Sequence, residues 1–101
     1  MPIQTPARFP ELAIDLNARF DRNTYAADLP CTQESLRRLG LTLETALGKT
    51  FAFVDISGAV NDAGGADDLM FYGTIVYRDG IGYFAEEDGN GLRYRSGHVD
   101  A

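Results

Sequence analysis

The chain has 101 residues, the size of one domain that can bury a core without disulfides or bound metal ions. Apolar residues make up 45% of it, as in folded proteins. The net charge of −6 argues against a nucleic-acid partner and against an anionic membrane, because both attract clustered Lys and Arg. With Cys31 and His98 as single residues of their types, an intramolecular disulfide and a Cys/His zinc site are excluded, and no cofactor is expected.

The ends of the chain carry little pattern. Residues 1–10 lack the basic start and apolar core of a signal peptide, and no apolar run is long enough to cross a bilayer. We therefore expect a cytoplasmic location. We expect one domain over residues 1–101, with an irregular lead-in at 1–10 and a polar tail at 96–101.

The first predicted element is a short strand. Leu12, Ile14 and Leu16 alternate with smaller or polar residues, which predicts a strand with one buried face. Residues 18–28 fit either a loop anchored by aromatic rings or a hairpin that extends the first strand.

A helix and a second strand follow. The segment 33–39 predicts a short helix, with Thr32 as its N-cap and Gly40 as the glycine just past its C-terminus. Because the helix is short, it must pack on the sheet to be stable. Residues 49–55, KTFAFVD, predict a strand whose two phenylalanines share one face.

The segment 56–68 is rich in glycine and acidic residues, which predicts a connecting loop. Its carboxylates at Asp62, Asp67 and Asp68 are oxygen ligands of the kind that hard cations prefer, but their spacing does not match an EF-hand. A solvated connection is the simpler interpretation. A metal-ion or small-molecule site in this loop is the alternative function.

The stretch 69–95 predicts an antiparallel meander and organises the rest of the chain. Two runs rich in β-branched and aromatic residues flank Asp79-Gly80, which predicts a two-residue loop with Arg78 opposite Ile81. Both faces of this hairpin are apolar, so both should be covered.

The meander is expected to end with a third strand after the turn at 88–91. If this strand pairs with the second one, Glu86 faces either Arg93 or Arg95, depending on the length of the turn.

One predicted register places three tyrosines on one face of the meander. Tyr72, Tyr83 and Tyr94 then lie together beside Met70. Tyrosine is enriched at binding hot spots, although ordinary sheet packing is the simpler interpretation. Because no catalytic constellation is recognisable, we expect a non-enzymatic protein-interaction module. Its partner is another protein, or a second copy in a homodimer.

The elements together predict a mostly-β α+β domain with about five strands and one short helix. The preferred architecture is a small SH3-like, partly open barrel or curled meander, because curling would cover both hairpin faces. A flat sheet is the alternative, and its uncovered apolar face would favour a homodimer.

Residues 41–88 resemble a group of small uncharacterised bacterial β-rich proteins. The match rests on short pieces of sequence: Leu41-Thr42-Leu43, Gly48, Phe51-Ala52-Phe53, Asp67-Asp68-Leu69, Gly73-Thr74-Ile75-Val76-Tyr77 and Gly82-Tyr83-Phe84-Ala85-Glu86. The chain departs from the pattern at Phe84, where tryptophan is expected, and by a shorter link between the last strands. The resemblance implies a β-rich fold and carries no activity.

Overall fold

The computed structural model describes residues 9–56 and 68–94. This part of the chain contains one α-helix, a short 3-10 helix at Leu16–Ala18, and strands that all belong to one sheet. In chain order the elements are β1 (Glu11–Ile14), β2 (Arg19–Asp21), β3 (Thr24–Ala26), α1 (Pro30–Arg38), β4 (Thr50–Asp55), β5 (Leu69–Arg78), β6 (Gly82–Glu87) and β7 (Arg93–Tyr94).

Six strands lie side by side in the order β1-β4-β5-β6-β3-β2, and the two-residue β7 pairs with β5. β1 and β4 run parallel, while the other pairs are antiparallel. The predicted mostly-β α+β class is confirmed, with more strands than the expected five. The additional strands β2 and β3 form a hairpin within the ambiguous segment 18–28. Among the described residues no pairing joins β1 to β2, so the sheet is open.

The sheet buries side chains on both of its faces, as the apolar hairpin predicts. The face that packs against α1, here called the helix face, holds the main core around Leu36: Leu12, Ile14, Tyr25, Phe51, Phe53, Phe71, Ile75 and Ala85. The other side, the opposite face, holds a smaller cluster of Ala52, Met70 and Tyr72 with Phe9 and Val54 packed against it. Alternation along each strand explains this division.

The alternation predicted for the first strand is confirmed at Leu12 and Ile14, which are fully buried. β1 nevertheless ends at Ile14, and Leu16 begins the 3-10 helix. The carboxylate of Asp55, in β4, accepts a hydrogen bond from the Leu16 amide at 3.1 Å. This contact ties the end of β1 to its parallel neighbour.

α1 covers the free edge of β1. The Thr32 hydroxyl donates to the Ala13 carbonyl at 2.7 Å, and the Ala13 amide donates to the Ser35 hydroxyl at 3.0 Å. Both polar groups of Ala13 are therefore satisfied by the helix. An uncovered edge strand would present such groups to another chain, so this arrangement protects the sheet.

The predicted start of the helix is wrong. α1 begins at Pro30, three residues early, because proline is well suited to the first helical turn. Thr32 lies inside the helix, where its hydroxyl bonds β1. The predicted end is confirmed, because Gly40 has φ +75° and its amide donates to Arg37. The Leu41 amide donates to Leu36, which completes a Schellman motif.

The central turn falls at Asp79-Gly80 as predicted, but its predicted length is wrong. Arg78 pairs with Gly82, which leaves a three-residue loop that includes Ile81. Gly80 and Gly82 have φ of +78° and +137°, values that favour glycine. The longer loop removes the apolar Ile81 from the strand and shifts every β5–β6 pair by one residue.

A third strand follows the turn as predicted, but its predicted pairing is wrong. β7 does not pair with β6; it continues the path of β6 along β5, with Arg93 opposite Met70 and Tyr94 opposite Leu69. Residues 88–92 form a local excursion, and the Asp88 amide still donates to Tyr72. Glu86 therefore pairs with Thr74 of β5 and Thr24 of β3 rather than with an arginine.

Candidate functional site

The structure separates the tyrosines that the sequence grouped together. Tyr72 and Met70 lie on the opposite face. Tyr83 pairs with Tyr77 and packs against the core of the helix face. For Tyr94 the structure gives only its register, which is opposite Leu69. The one-residue difference in the hairpin register is the cause, because it exchanges the faces of β6 relative to β5.

Tyr72 is a packing residue in this arrangement. Its ring meets Phe9 edge-on at 5.6 Å, and the Arg93 guanidinium lies 5.6 Å from the ring centre. Only 8% of Tyr72 and 1% of Met70 is exposed. These two predicted site residues therefore present little surface to a partner.

Tyr83 borders an open groove on the helix face. One hollow of about 180 Å³ lies between α1 and the segment that follows it, and a second of about 350 Å³ continues to Tyr83. The two hollows share Gln33, Thr42 and Leu43. We call the whole surface the tyrosine groove; its other lining residues are Leu36, Arg37, Leu41, Glu44 and Tyr83.

The wall formed by residues 41–48 is held by local hydrogen bonds. The Thr42 amide donates to the Thr45 hydroxyl at 2.8 Å, and the Thr45 amide donates to the Thr42 hydroxyl at 3.2 Å. Ala46 is fully buried, and the Gly48 amide donates to the carbonyl of Ile75 in β5. The wall is thus fixed to the sheet, and the groove is preformed.

The end of the groove at Tyr83 is aromatic and acidic. Tyr77, which is 50% exposed, packs on Tyr83 with ring centres 4.9 Å apart. Burial, then the nearby Glu44 carboxylate and then Tyr77 raise the pKa of Tyr83 above its usual 10. At the other end, Arg37 forms a salt bridge with Glu34 on the same helix. The groove therefore has a leucine end and a tyrosine–carboxylate end.

Sequence reasoning identified Tyr83 but missed the groove. Leu41 and Leu43 alternate directly after the C-terminal glycine of the helix, which was the available signal. That pattern alone does not reveal that Tyr83 comes to lie beside them.

The acidic loop proposed for metal binding falls mostly outside the described residues, which exclude Asp62 and Asp67. Asp68 is described and is partly buried. Within residues 9–56 and 68–94, no cluster of three or more His, Cys, Asp or Glu side chains could hold a metal ion.

A second aromatic cluster lies on the opposite face. The Arg78 guanidinium lies 5.6 Å from the Phe20 ring centre and 5.5 Å from that of Phe84, and it forms an ion pair with Asp21 at 3.0 Å. Asp21 also accepts a hydrogen bond from Thr24 at 2.5 Å. These contacts fasten the β2–β3 hairpin to β5 and β6.

This cluster predicts a pH dependence of stability. The Thr24 hydroxyl, and then Arg78, lower the pKa of Asp21 below its usual 3.8. A carboxyl whose pKa is lower in the folded state stabilises the fold above its unfolded pKa, and this contribution disappears as the pH falls through the folded value. We expect Asp21→Asn to lower the melting temperature at pH 7 and to have a progressively smaller effect as the pH falls below 3.8. Circular dichroism melts of both proteins across this range measure the difference, and an unchanged difference at pH 2 would contradict the assignment.

Comparisons of the chain with protein-family models, with curated proteins and with solved structures find no match. Among the described residues, no helix combines the length and the apolar character needed to span a membrane.

Proposed function

We propose that the protein is a non-enzymatic interaction module that binds a protein partner through the tyrosine groove. One observation carries this proposal: the half-exposed Tyr77 packs on Tyr83, which lines one hollow of the groove together with Leu43. Leu43 also lines the neighbouring hollow with Leu36 and Leu41. Aromatic side chains next to concave apolar surface are typical of binding hot spots.

Binding in the groove is favoured over the addition of a partner strand to the sheet. α1 already occupies the polar groups of Ala13 on the β1 edge. At the other end, β2 is only three residues long and carries the charged Arg19 and Asp21. Short, charged or covered edges discourage strand addition.

The first test removes the exposed ring. We expect Tyr77→Ala to weaken partner binding about tenfold or more, because truncation of a hot-spot tyrosine costs at least about 1–2 kcal/mol. Because half of Tyr77 is already exposed, the fold should persist. Affinity purification from the cells that express the protein, followed by titration of the retained partner against both purified proteins, measures the change.

Leu92→Ala is the matched control. Leu92 is 44% exposed in the excursion between β6 and β7, so its truncation removes a similarly exposed apolar side chain away from the groove. Binding should be unchanged in this variant. A partner that loses affinity equally with both variants, or with neither, would overturn the groove as the contact surface.

Several other predictions stand beside this proposal. Self-association is the alternative to a foreign partner, and light scattering across a concentration series tests it. An SH3-like curvature and a cytoplasmic location stay predictions. The alternative function, a metal-ion or small-molecule site in the 56–68 loop, also stays a prediction, and thermal stabilisation by a divalent cation that Asp68→Asn abolishes would support it.

A further inference from the structure

We infer that the tyrosine groove recognises a peptide segment in which a Lys or Arg side chain neighbours an aliphatic one. The cation would lie against Tyr77, Tyr83 and Glu44, and the aliphatic side chain would enter the leucine end. This inference rests on the proposed function and specifies its partner.

The tyrosine–carboxylate end suits a cation for two reasons. The faces of aromatic rings attract ammonium and guanidinium groups, and Tyr77 and Tyr83 form a tilted pair 4.9 Å apart. The Glu44 carboxylate lines the same hollow as Tyr83, and its negative charge acts on the Tyr83 hydroxyl.

The leucine end suits an aliphatic side chain. Leu36, Leu41 and Leu43 line its hollow of about 180 Å³. The basic Arg37 that also lines it is paired with Glu34, so its charge is partly neutralised. The two hollows share Gln33, and a single short segment could therefore reach both ends.

The charge of the whole chain supports the same partner. The sequence has 15 acidic and nine basic side chains, and the resulting net charge of −6 favours encounters with a basic segment. A basic peptide would therefore be attracted both by the net negative charge of the protein and by the carboxylate of Glu44 in the groove.

A peptide selection tests the inference. A phage library of random 12-residue peptides is selected on the wild-type protein, and clones that also bind Tyr77→Ala are discarded. We expect the enriched peptides to carry Lys or Arg within a few residues of Leu, Ile, Val or Met. Enriched peptides without a basic residue would overturn the inference while the groove remains a binding surface. A selection that yields no Tyr77-dependent peptide would overturn both proposals.

Charge variants then locate the cation. For a synthetic peptide from the selection, we expect Glu44→Gln to weaken binding about two- to fivefold and to flatten its salt dependence, as for one partly exposed ion pair. Glu86→Gln removes the same charge on the opposite face, where Glu86 pairs with Thr74, and should not change binding. Equal losses in the two variants would show that only the net charge matters and would overturn the assignment to Glu44. Circular dichroism melts confirm that both variants fold.

Discussion

Replacing Gly73 by alanine is expected to destabilise the protein by about 3 kcal/mol or more. A Cβ at this position would lie 2.3 Å from the carbonyl oxygen of Glu86 and 3.0 Å from its carbonyl carbon. Both are backbone atoms of the neighbouring strand β6, so no side-chain rotation relieves the overlap. For a domain of this size, each kcal/mol lowers the melting temperature by about 4–8 °C.

Gly40→Ala is the control, because it also replaces a glycine by alanine but creates no steric overlap. Gly40 has φ +75°, but nothing lies within 4 Å of the added Cβ, so only backbone strain of about 1–2 kcal/mol is expected. Chemical denaturation of both variants compares their free energies of unfolding. If Gly73→Ala lowered the free energy of unfolding no more than Gly40→Ala, the result would contradict the close approach of β6 to β5 at Gly73.

The second large effect is expected at Thr32. Thr32→Val keeps the shape of a fully buried side chain but removes the hydroxyl that donates to the Ala13 carbonyl. The carbonyl then loses its partner, which costs about 1–3 kcal/mol. Because the same bond covers the edge of β1, we also expect faster aggregation on heating.

Thr45→Val serves as the matched substitution. Thr45 is exposed and its hydroxyl bonds Thr42 in the local turn, where water can replace the lost bonds, so the change should cost less, about 0.5–1 kcal/mol. Denaturation curves and light scattering during heating measure the two effects of Thr32→Val. Equal stability of the two variants would mean that the contact between helix and edge contributes little.

Local signals in the sequence predicted local structure well. The alternation of Leu12 and Ile14, the shared face of Phe51 and Phe53, and the helix-ending Gly40 were all correct. Each depends on residues a few positions apart. Periodicity and glycine conformation report such features directly.

The predictions that were wrong required a choice between two structures that the local sequence favours almost equally. A two-residue and a three-residue loop both fit Asp79-Gly80, and the choice depends on whether Ile81 joins the strand. Thr32 fits the sequence pattern of an N-cap, but in the folded protein its hydroxyl donates to the carbonyl of Ala13 in β1. The parallel pairing of β1 with β4 joins strands far apart in the chain, and no short motif specifies it.

The candidate site was predicted least well for the same reason. Its surface joins the end of α1, residues 41–44 and Tyr83, and only the folded sheet brings these segments together. The sequence drew attention to tyrosines, but it did not distinguish the buried Tyr72 from Tyr83 at the groove. The two tyrosines lie on different faces because the register of the hairpin differs by one residue from the predicted one.

The excursion between β6 and β7 makes this sheet tolerant of changes in chain length. Two residues separate Gly73 from Met70 on β5, while five separate their partners Glu87 and Arg93. Removing three residues from the excursion would let one continuous strand run along β5 with Arg93 still opposite Met70. The excursion could also accept a grafted label or epitope, since added residues would project from the sheet. The pairs on either side, Gly73 with Glu87 and Met70 with Arg93, would stay in place.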